Sequence, residues 1–225
     1  MEWPTWLQAE LLFPSLSDPS AGFVPSFEPK TPVWSLLDPS SEHGLKAQLD
    51  RLPSMPSSVI EHVVMIGEGI RIDPTATIEP FVTIFGPCYI GPQVTIRSGA
   101  YVREYSWLCE GSIVGHSTEI KHSTLLPHAK APHFNYVGDS ILGSHVNLGA
   151  GTKLSNLRND GTEVFVRFES GRFGSGLRKF GAILGEGCAL GCNAVTNPGV
   201  VLGPHSNVWP NTTVTGIHRG QSTHK

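Results

Sequence analysis

The 225-residue sequence has little charge, few cysteines and no long apolar run. Charged residues make up 16% of the chain, and 16 basic residues against 19 acidic ones leave a net charge of −3. That balance supplies no basic surface for nucleic acid. The apolar runs are shorter than the roughly 18–20 residues of a membrane-spanning helix. We therefore expect a folded protein that neither binds nucleic acid nor crosses a membrane.

The cysteines and the N-terminus indicate a reducing compartment. Cys88, Cys109, Cys188 and Cys192 form no paired CxxC motifs, so the sequence favours neither a structural zinc site nor a disulfide framework. The first residues include Glu2 and lack the basic stretch that opens a secretory signal. We expect a cytoplasmic protein.

A six-residue period dominates the sequence from residue 66 onward. The fourth position after each aliphatic residue is mostly small or β-branched, as at Cys88 and Ala100. A period of six fits no helix, and it predicts an all-β fold, a parallel β-helix with three short strands and about eighteen residues per coil. The aliphatic positions in register are Ile66, Ile72, Ile78, Ile84, Ile90, Ile96, Val102, Leu108, Val114, Ile120 and Leu126.

The period is interrupted twice. Between Leu126 and Leu142 the spacing is sixteen residues, which is not a multiple of six. We therefore predict that the chain leaves the coil near residues 132–136. A longer excursion lies between Asn156 and Lys179. Loops that leave a rigid solenoid are common places for function.

The composition divides the chain into three parts. Residues 1–58 are rich in proline and tryptophan and are predicted to form an N-terminal segment and linker, with one helix around 41–52. The β-helix is predicted over 59–216, with an insertion at about 157–178. Residues 217–225 are expected to form a C-terminal tail.

Two cations are predicted to stack on successive coils. Arg103 and Lys121 are eighteen residues apart, and each follows an inward aliphatic residue. Positions one coil apart are about 4.8 Å from each other, and two cations at that spacing repel by about 1 kcal/mol. A bound phosphate would remove this cost. The alternative is two solvated surface cations, with local relief from Glu104 and Glu119.

Histidines supply the other candidate chemistry. His133 falls at the first interruption, and its imidazole is suited to accept a proton near neutral pH. A lone loop histidine can equally be structural or exposed. His116, His122 and His128 recur every six residues, so they belong to three different faces of one coil. Only a trimer would bring two of these faces together, which leaves a zinc site as the weaker alternative.

A family resemblance begins at the first interruption. The segment HFNYVGDSILGSHVNLGAGTKLSNLR (133–158) closely resembles the acetyltransferase domain of the bifunctional N-acetylglucosamine-1-phosphate uridylyltransferase/glucosamine-1-phosphate acetyltransferase. The insertion that ends in LRKFGAILGEG (177–187) is similar to the archaeal-type branch of that family. The resemblance covers roughly residues 59–216. It implies a left-handed β-helix, acetyl-CoA as co-substrate, no metal, and a homotrimer with active sites between adjacent solenoids.

The resemblance also implies a role for each matching position. His133 matches the catalytic base that takes a proton from the sugar amine. Ala150 and Cys192 match positions that face the cofactor. The substrate-binding positions that it implies are Arg103, Lys121, Tyr136, Asn147, Asn156 and Lys179, of which Arg103 and Lys121 hold the sugar phosphate.

The sequence departs from the family in three respects. The nucleotidyltransferase half has no counterpart in these 225 residues, so uridylyl transfer is not expected. Cys192 stands where well-known members have serine. A C-terminal arm that helps bind acetyl-CoA in some relatives is missing, and the arginines of the insertion are candidates to replace it. These are Arg158, Arg167, Arg172 and Arg178.

The sequence therefore predicts transfer of an acetyl group from acetyl-CoA to the amine of glucosamine-1-phosphate or galactosamine-1-phosphate. Backbone N–H groups near Gly149–Gly151 are expected to stabilise the oxyanion. Two alternatives from other classes stay open. One is a non-catalytic trimeric partner of a separate sugar nucleotidyltransferase, with residues 1–58 as its docking segment. The other is a zinc carbonic anhydrase on the same fold.

Overall fold

The computed structural model describes residues 3–18, 22–55, 60–168 and 171–225. Three eight-stranded parallel sheets, called A, B and C here, organise the chain from residue 64 onward. Sheet A contains β1 (Val64–Ile66), β4 (Thr83–Phe85), β7 (Tyr101–Val102), β10 (Glu119–Lys121), β13 (Tyr136–Gly138), β16 (Lys153–Leu154), β21 (Val195–Thr196) and β24 (Thr213–Val214). Sheet B contains β2 (Ile70–Ile72), β5 (Cys88–Ile90), β8 (Ser106–Leu108), β11 (Thr124–Leu125), β14 (Ile141–Leu142), β19 (Ala182–Leu184), β22 (Val200–Leu202) and β25 (Ile217–His218). Sheet C contains β3 (Thr77–Ile78), β6 (Thr95–Ile96), β9 (Ile113–His116), β12 (Lys130–His133), β15 (Asn147–Leu148), β20 (Ala189–Leu190), β23 (Asn207–Val208) and β26 (Thr223–His224).

Each coil adds one strand to each sheet, so the predicted hexapeptide-repeat solenoid is confirmed. The aliphatic residues of the six-residue period fill one continuous interior, in which Ile84, Ile96 and Leu108 are fully buried. The small positions lie beside them, and Cys88 and Cys188 belong to the same core. Because each coil buries its inner side chains only against its neighbours, the core grows coil by coil.

Two successive coils contain seventeen residues rather than eighteen. Leu125 pairs with Leu108 on one side and with Leu142 on the other. Leu125 therefore faces the interior, and Leu126 packs outside, against sheet B. The prediction that the chain leaves the coil near residues 132–136 is wrong, because β12 and β13 lie there and pair with both neighbouring coils.

The missing residue is lost at the same place in both coils. This is the A–B corner, where the chain passes from sheet A to sheet B. His122 and Asp139 occupy it, each with φ of +44°. The step from the inward side chain Ile120 to the next one, Leu125, is therefore five residues, where the preceding coil takes six from Val102 to Leu108.

The N-terminal segment covers the outer face of sheet B. It contains α1 (Ala9–Leu12), α2 (Leu45–Arg51) and short 3₁₀ helices at Thr5–Leu7, Pro14–Ser17 and Val33–Leu37. Its apolar side chains form a second core with the outward residues of sheet B, such as Trp107 and Ile141. Trp34 stacks on Phe180 with 5.7 Å between ring centroids. Helix α2 lies within residues 41–52, and the boundary expected between residues 58 and 59 falls outside the described residues.

The insertion leaves the coil after Leu154 and returns at Ala182. It contains an antiparallel hairpin of β17 (Phe165–Phe168) and β18 (Gly171–Gly174). Val164 and Val166 pack into the core beneath the N-terminal segment. Residues 217–225, expected as a tail, contribute β25 and β26 to sheets B and C. Among the described residues, no helix has the length and apolar character to cross a membrane.

Replacing Leu108 with alanine is expected to lower the free energy of unfolding by about 2–5 kcal/mol, because a buried leucine leaves a cavity in a close-packed interior. Leu108 is fully buried between two coils. The control is Leu11→Ala in α1, where the leucine is 54% exposed and the expected loss is within about 0.5 kcal/mol. Urea unfolding at pH 7 measures both, and equal losses would contradict the described register.

Candidate active site

Four residues stack at the corner where the chain passes from sheet C to sheet A. We call His116, His133, Ala150 and Cys192 the His133 column. His133 pairs directly with His116. Asn147 pairs with Lys130 and with Ala189, which puts Ala150 and Cys192 at the level of His133 on the following coils. The predicted catalytic base and both predicted cofactor-facing residues therefore share one column.

His133 ends strand β12. Its place in the sequence suggested that it lies on an excursion from the coil, and that prediction is wrong. Its side chain is exposed, and its main-chain N–H donates to Asn135 Oδ1 at 3.0 Å. The buried Asn135 in turn donates to the carbonyl oxygen of Gly149 at 2.7 Å. Within the described parts of the chain, the His133 ring has no hydrogen-bond partner. The backbone of His133 is thus fixed, while its exposed ring is accessible to a ligand.

Of the backbone N–H groups near Gly149–Gly151 that were expected to stabilise an oxyanion, one has no acceptor among the described residues. The N–H of Gly149 donates to the Leu190 carbonyl at 2.6 Å, and that of Gly151 to the His133 carbonyl at 3.0 Å. The N–H of Ala150 has no acceptor among the described residues. Gly149 is required here, because a Cβ at this position would lie 2.5 Å from the backbone nitrogen of Cys192. Ala150 is therefore the candidate oxyanion donor.

A second column occupies the A–B corner. We call Glu104, His122, Asp139 and Asn156 the Asp139 column. Lys121 pairs with Gly138, and Val137 pairs with Leu154, so His122, Asp139 and Asn156 follow one another on successive coils. The His122 N–H donates to the Glu104 carbonyl at 3.1 Å. The two seventeen-residue coils align His122, Asp139 and Asn156, which a constant eighteen-residue coil would have offset.

Asp139 is the centre of this column. Its carboxylate accepts hydrogen bonds from Lys121 Nζ at 3.0 and 3.1 Å, from His122 Nδ1 at 2.8 Å, and from the Asn156 side-chain amide. Asn156 Oδ1 accepts from the Tyr136 hydroxyl at 3.3 Å. Burial opposes ionisation, but the His122 hydrogen bond and the charge of Lys121 outweigh it and hold the pKa of Asp139 below its ordinary value of 3.8.

The lowered pKa of Asp139 predicts how its contribution to stability depends on pH. A depressed folded-state pKa stabilises the fold at pH values above 3.8, and this contribution is lost as the pH falls through the lower folded value. The native protein should therefore unfold at higher urea concentration than Asp139→Asn at pH 5 and pH 7. The difference should shrink as the pH drops below 3.8. A difference that stays constant from pH 7 to pH 3 would contradict this account.

Arg103 and Lys121 occupy equivalent positions on adjacent coils, but each already has an acidic partner. Arg103 Nη1 lies 2.9 Å from Glu119 Oε1, and Lys121 Nζ lies 3.0 Å from Asp139 Oδ2. The Glu119 hydrogen bond raises the pKa of Arg103 above its ordinary value. Repulsion between the two cations is therefore offset within the chain, and by itself it requires no bound anion.

The remaining predicted substrate positions divide between two faces. Tyr136 lies on the outer face of sheet A, next to Asn156. Gly138 leaves room for this pair, because a Cβ there would lie 2.6 Å from the Tyr136 hydroxyl and 2.7 Å from Asn156 Nδ2. Lys179 is exposed at the base of the insertion, where it pairs with Leu157. Asn147 lies apart from them, exposed on sheet C.

A cavity of about 580 Å³ opens beside the Asp139 column. It lies between the A–B corner, residues 37–40 of the N-terminal segment, and the base of the insertion. Two predicted substrate residues line it, Lys121 and Lys179, together with Lys46 and Tyr105. The Lys46 ammonium lies over the Tyr105 ring, 5.6 Å from its centroid. Sequence reasoning missed Lys46, Tyr105 and Asp139. The five-residue step from Ile120 to Leu125 was the signal that could have identified the corner.

The insertion arginines lie at the A–B edge of sheet A, across the sheet from Ala150 and Cys192. Arg158 pairs with Asp160, and Arg172 lies over the Phe165 ring, 4.2 Å from its centroid. Arg158 and Arg167 line a pocket of about 440 Å³ with Ser155, Asn197 and Thr215. Within one chain, these arginines do not extend the His133 column toward a cofactor.

His116, His122 and His128 lie at three different corners of the solenoid, as their spacing predicts. In the described ranges, no three His, Cys, Asp or Glu residues are grouped closely enough to hold a metal. Burial raises the pKa of Cys88 to about 12 and that of Cys188 to about 11. Cys192 is the exposed cysteine.

Sequence comparison matches this chain to a known family and to longer relatives. The family described as GMPPB C-terminal domain matches residues 84–218. A bifunctional sugar-1-phosphate nucleotidylyltransferase/acetyltransferase from Sulfurisphaera tokodaii is 37% identical over 182 residues, which is 80% of this chain and 44% of the relative. The bifunctional protein GlmU from Methanocaldococcus jannaschii is 43% identical over 110 residues, 49% of this chain and 26% of the relative. The chain thus spans less than half the length of each.

Solved structures share the repeat architecture at low identity. The acetyltransferase domain of PglB from Neisseria gonorrhoeae, solved with acetyl coenzyme A, is 14% identical, with 92% of this chain and 79% of that chain covered and a TM-score of 0.28. The UDP-N-acetylglucosamine acyltransferase from Campylobacter jejuni is 15% identical, with 74% and 66% covered and a TM-score of 0.36. At these TM-scores neither structure bears on what this chain does.

Proposed function

We propose, from the premise that this chain belongs to the GMPPB C-terminal domain family, that it transfers an acetyl group from acetyl-CoA to the amine of an amino-sugar 1-phosphate. Relatives of the chain are named for acetyl transfer and for sugar 1-phosphates. One observation carries the proposal. The outer face of sheet A lies between the exposed imidazole of His133 and a cavity lined by Lys121 and Lys179.

The sugar phosphate is assigned to the A–B edge of this face. Arg103, Lys121 and Lys179 supply cationic donors there, and charge-assisted hydrogen bonds to phosphate are the strong ones. Tyr136 lies on the outer face of sheet A beside Asn156 of the Asp139 column, and both are assigned to the sugar hydroxyls. Both glucosamine-1-phosphate and galactosamine-1-phosphate carry the phosphate and the amine that this arrangement reads.

Ala150 and Cys192 fit the thioester end of acetyl-CoA, because their side chains are small and the Ala150 N–H has no acceptor among the described residues. Acetyl-CoA supplies an acetyl group activated as a thioester. His133 accepts the proton of the sugar amine as the amine attacks the thioester carbonyl carbon. The Ala150 N–H donates to the carbonyl oxygen as negative charge develops on it. The C–S bond then breaks, and the imidazolium of His133 returns the proton to the departing thiolate.

Exposed apolar groups beside the His133 column favour a homotrimer. Phe134 is 56% exposed and directly follows His133. A cyclic trimer would place the face of one solenoid against the corner of the next and would bring Asn147 of one chain toward a neighbouring site. Light scattering of the purified protein measures the assembly.

The proposal is tested by thiol release from acetyl-CoA, with glucosamine-1-phosphate and galactosamine-1-phosphate in parallel reactions. Release that depends on the sugar phosphate supports the transferase and ranks the two sugars. Release without sugar indicates hydrolysis of the thioester. No release from a folded protein contradicts the proposal.

A non-catalytic role beside a sugar nucleotidyltransferase is the second candidate. Its motivation is that the relatives named above are bifunctional and exceed this chain in length. In this chain the apolar residues of the N-terminal segment are mostly buried against sheet B, and Leu11 and Phe23 remain exposed. A docking role predicts that Leu11→Ser and Phe23→Ser abolish capture of the nucleotidyltransferase.

A further inference from the structure

The geometry points to Asp139 as a positioning residue that orients Lys121 and Asn156 for the sugar phosphate. This inference rests on the proposed function and deepens it. Asp139 belongs to none of the substrate or cofactor positions that the family resemblance implies. It contacts three side chains of the candidate site, and its own side chain is 4% exposed at the wall of the same cavity.

The first step is the burial of the Asp139 carboxylate. Its side chain is 4% exposed, and its two oxygens are divided among three donors. A buried carboxylate is tolerated when it is paired and hydrogen-bonded, and it is costly when any partner is lost. Because the buried, charged carboxylate of Asp139 needs all three donors, each donor is held in its hydrogen bond to Asp139. The arrangement of the three donors is fixed as a unit.

The second step is what this unit does to Lys121. A free lysine side chain has several rotatable bonds and loses about 2 kcal/mol of rotamer entropy when it is held in one conformation. Asp139 holds the Lys121 ammonium with both oxygens, at 3.0 and 3.1 Å. The Lys121 side chain is 17% exposed and lines the cavity. The ammonium is thus ordered before a phosphate arrives, which reduces the entropic cost of binding.

The third step extends the unit to the sugar face. Asp139 accepts a hydrogen bond from Asn156 Nδ2, which leaves Asn156 Oδ1 to accept one from the Tyr136 hydroxyl. The orientation of the Asn156 amide is therefore set by Asp139, and the Tyr136 hydroxyl follows. Burial, together with the charges of Glu119 and Asp139, raises the pKa of Tyr136 above its ordinary value, so this hydroxyl stays a donor near neutral pH.

His122 supports Asp139 from the preceding coil. Its Nδ1 lies 2.8 Å from Asp139 Oδ1, so Nδ1 carries a proton and donates it to the carboxylate. His122 Nε2 is buried without a partner among the described residues, and its ring makes an edge contact with Tyr105. The histidine therefore acts on the site through Asp139.

The test compares the native protein with Asp139→Asn, which keeps the shape of the side chain and removes its charge. We expect the KM for glucosamine-1-phosphate to rise about 10- to 100-fold, the range found when an orienting partner is lost at metal sites. The KM for acetyl-CoA should stay within about twofold, because Ala150 and Cys192 lie at the other edge of sheet A. The matched control is Asp73→Asn, which removes a carboxylate that caps a turn with Thr75 at another corner.

A double-mutant cycle with Lys121→Met separates positioning from a merely structural role. If Asp139 acts through Lys121, adding Asp139→Asn to Lys121→Met should raise the KM for the sugar phosphate much less than it does in the native background. Full additivity would overturn the inference. If Asp139→Asn does not fold, Asp139→Glu keeps the charge and moves it by one methylene. That variant should fold and still raise the same KM.

Calorimetry distinguishes failure of this inference from failure of the proposed function. If the native protein is active and Asp139→Asn has the same KM for glucosamine-1-phosphate, this inference fails and the proposed function stands. If the native protein releases no thiol, the proposed function fails. Calorimetric binding of glucosamine-1-phosphate without acetyl-CoA then tests the positioning role of Asp139. Weaker binding by Asp139→Asn than by Asp73→Asn supports positioning. Equal binding, or none by the native protein, overturns it.

Discussion

Replacing His133 with alanine is expected to lower the turnover number by roughly 10²- to 10⁴-fold, the usual contribution of a positioned general base. The fold should be unaffected, because the side chain is exposed and its ring makes no hydrogen bond within the described residues. The contact that fixes this corner belongs to the His133 backbone and Asn135, and alanine retains it. The loss should therefore appear in kcat, with thermal unfolding unchanged.

The matched control is His116→Ala, which removes the preceding histidine of the same column. His116 Nδ1 donates to the Ser98 carbonyl oxygen at 2.6 Å, so its loss tests structure at the corner and not proton transfer. Thiol release from acetyl-CoA, followed for the native protein and both variants, separates the two roles. Full activity in His133→Ala, or an equal loss in His116→Ala, would contradict the assignment of the base.

Replacing Lys121 with methionine is expected to raise the KM for glucosamine-1-phosphate about 10- to 100-fold, since a hydrogen bond to a charged group contributes about 1.5–3 kcal/mol. Activity toward glucosamine, which lacks the phosphate, should change much less. The variant also leaves Asp139 without one of its donors, so some loss of stability should accompany it. A loss of stability affects activity toward both sugars alike, so the difference between glucosamine-1-phosphate and glucosamine reports on the phosphate contact.

The control for Lys121 is Lys130→Met on sheet C. Lys130 is exposed and pairs with Asn147, away from the Asp139 column. Initial rates over a range of sugar concentrations give KM for each variant. A KM for the sugar phosphate that stays within twofold of the native value in Lys121→Met would contradict the phosphate assignment.

The period of six predicted the solenoid because the inward positions are set by simple packing. It failed at one corner for a definite reason. Leu125 and Leu126 are both leucine, so a coil shortened by one residue leaves the aliphatic pattern unbroken at Leu126. The shift in register therefore appears only at Leu142, and it was interpreted as an interruption at residues 132–136. A left-handed backbone at His122 leaves no mark in a hydrophobic pattern.

The site was predictable where it depends on position within a coil. Arg103 and Lys121 do occupy equivalent positions on adjacent coils. Of their two acidic partners in the structure, one, Glu119, was named from the sequence, and Asp139 was missed. Glu119 is the partner of Arg103, whereas Asp139 reaches Lys121 only because the intervening coil has seventeen residues. The N-terminal segment has no period, so its docking on sheet B and the contribution of Lys46 to the cavity could not be derived from pattern alone.

A crystal structure of the protein with glucosamine-1-phosphate and coenzyme A tests the central claim most directly. The account predicts the phosphate against Lys121 and Lys179, the sugar amine facing the ring of His133, and the thiol end of coenzyme A beside Ala150. It also predicts an unchanged Asp139 column. A sugar phosphate bound away from the outer face of sheet A, or with its amine turned from His133, would contradict it.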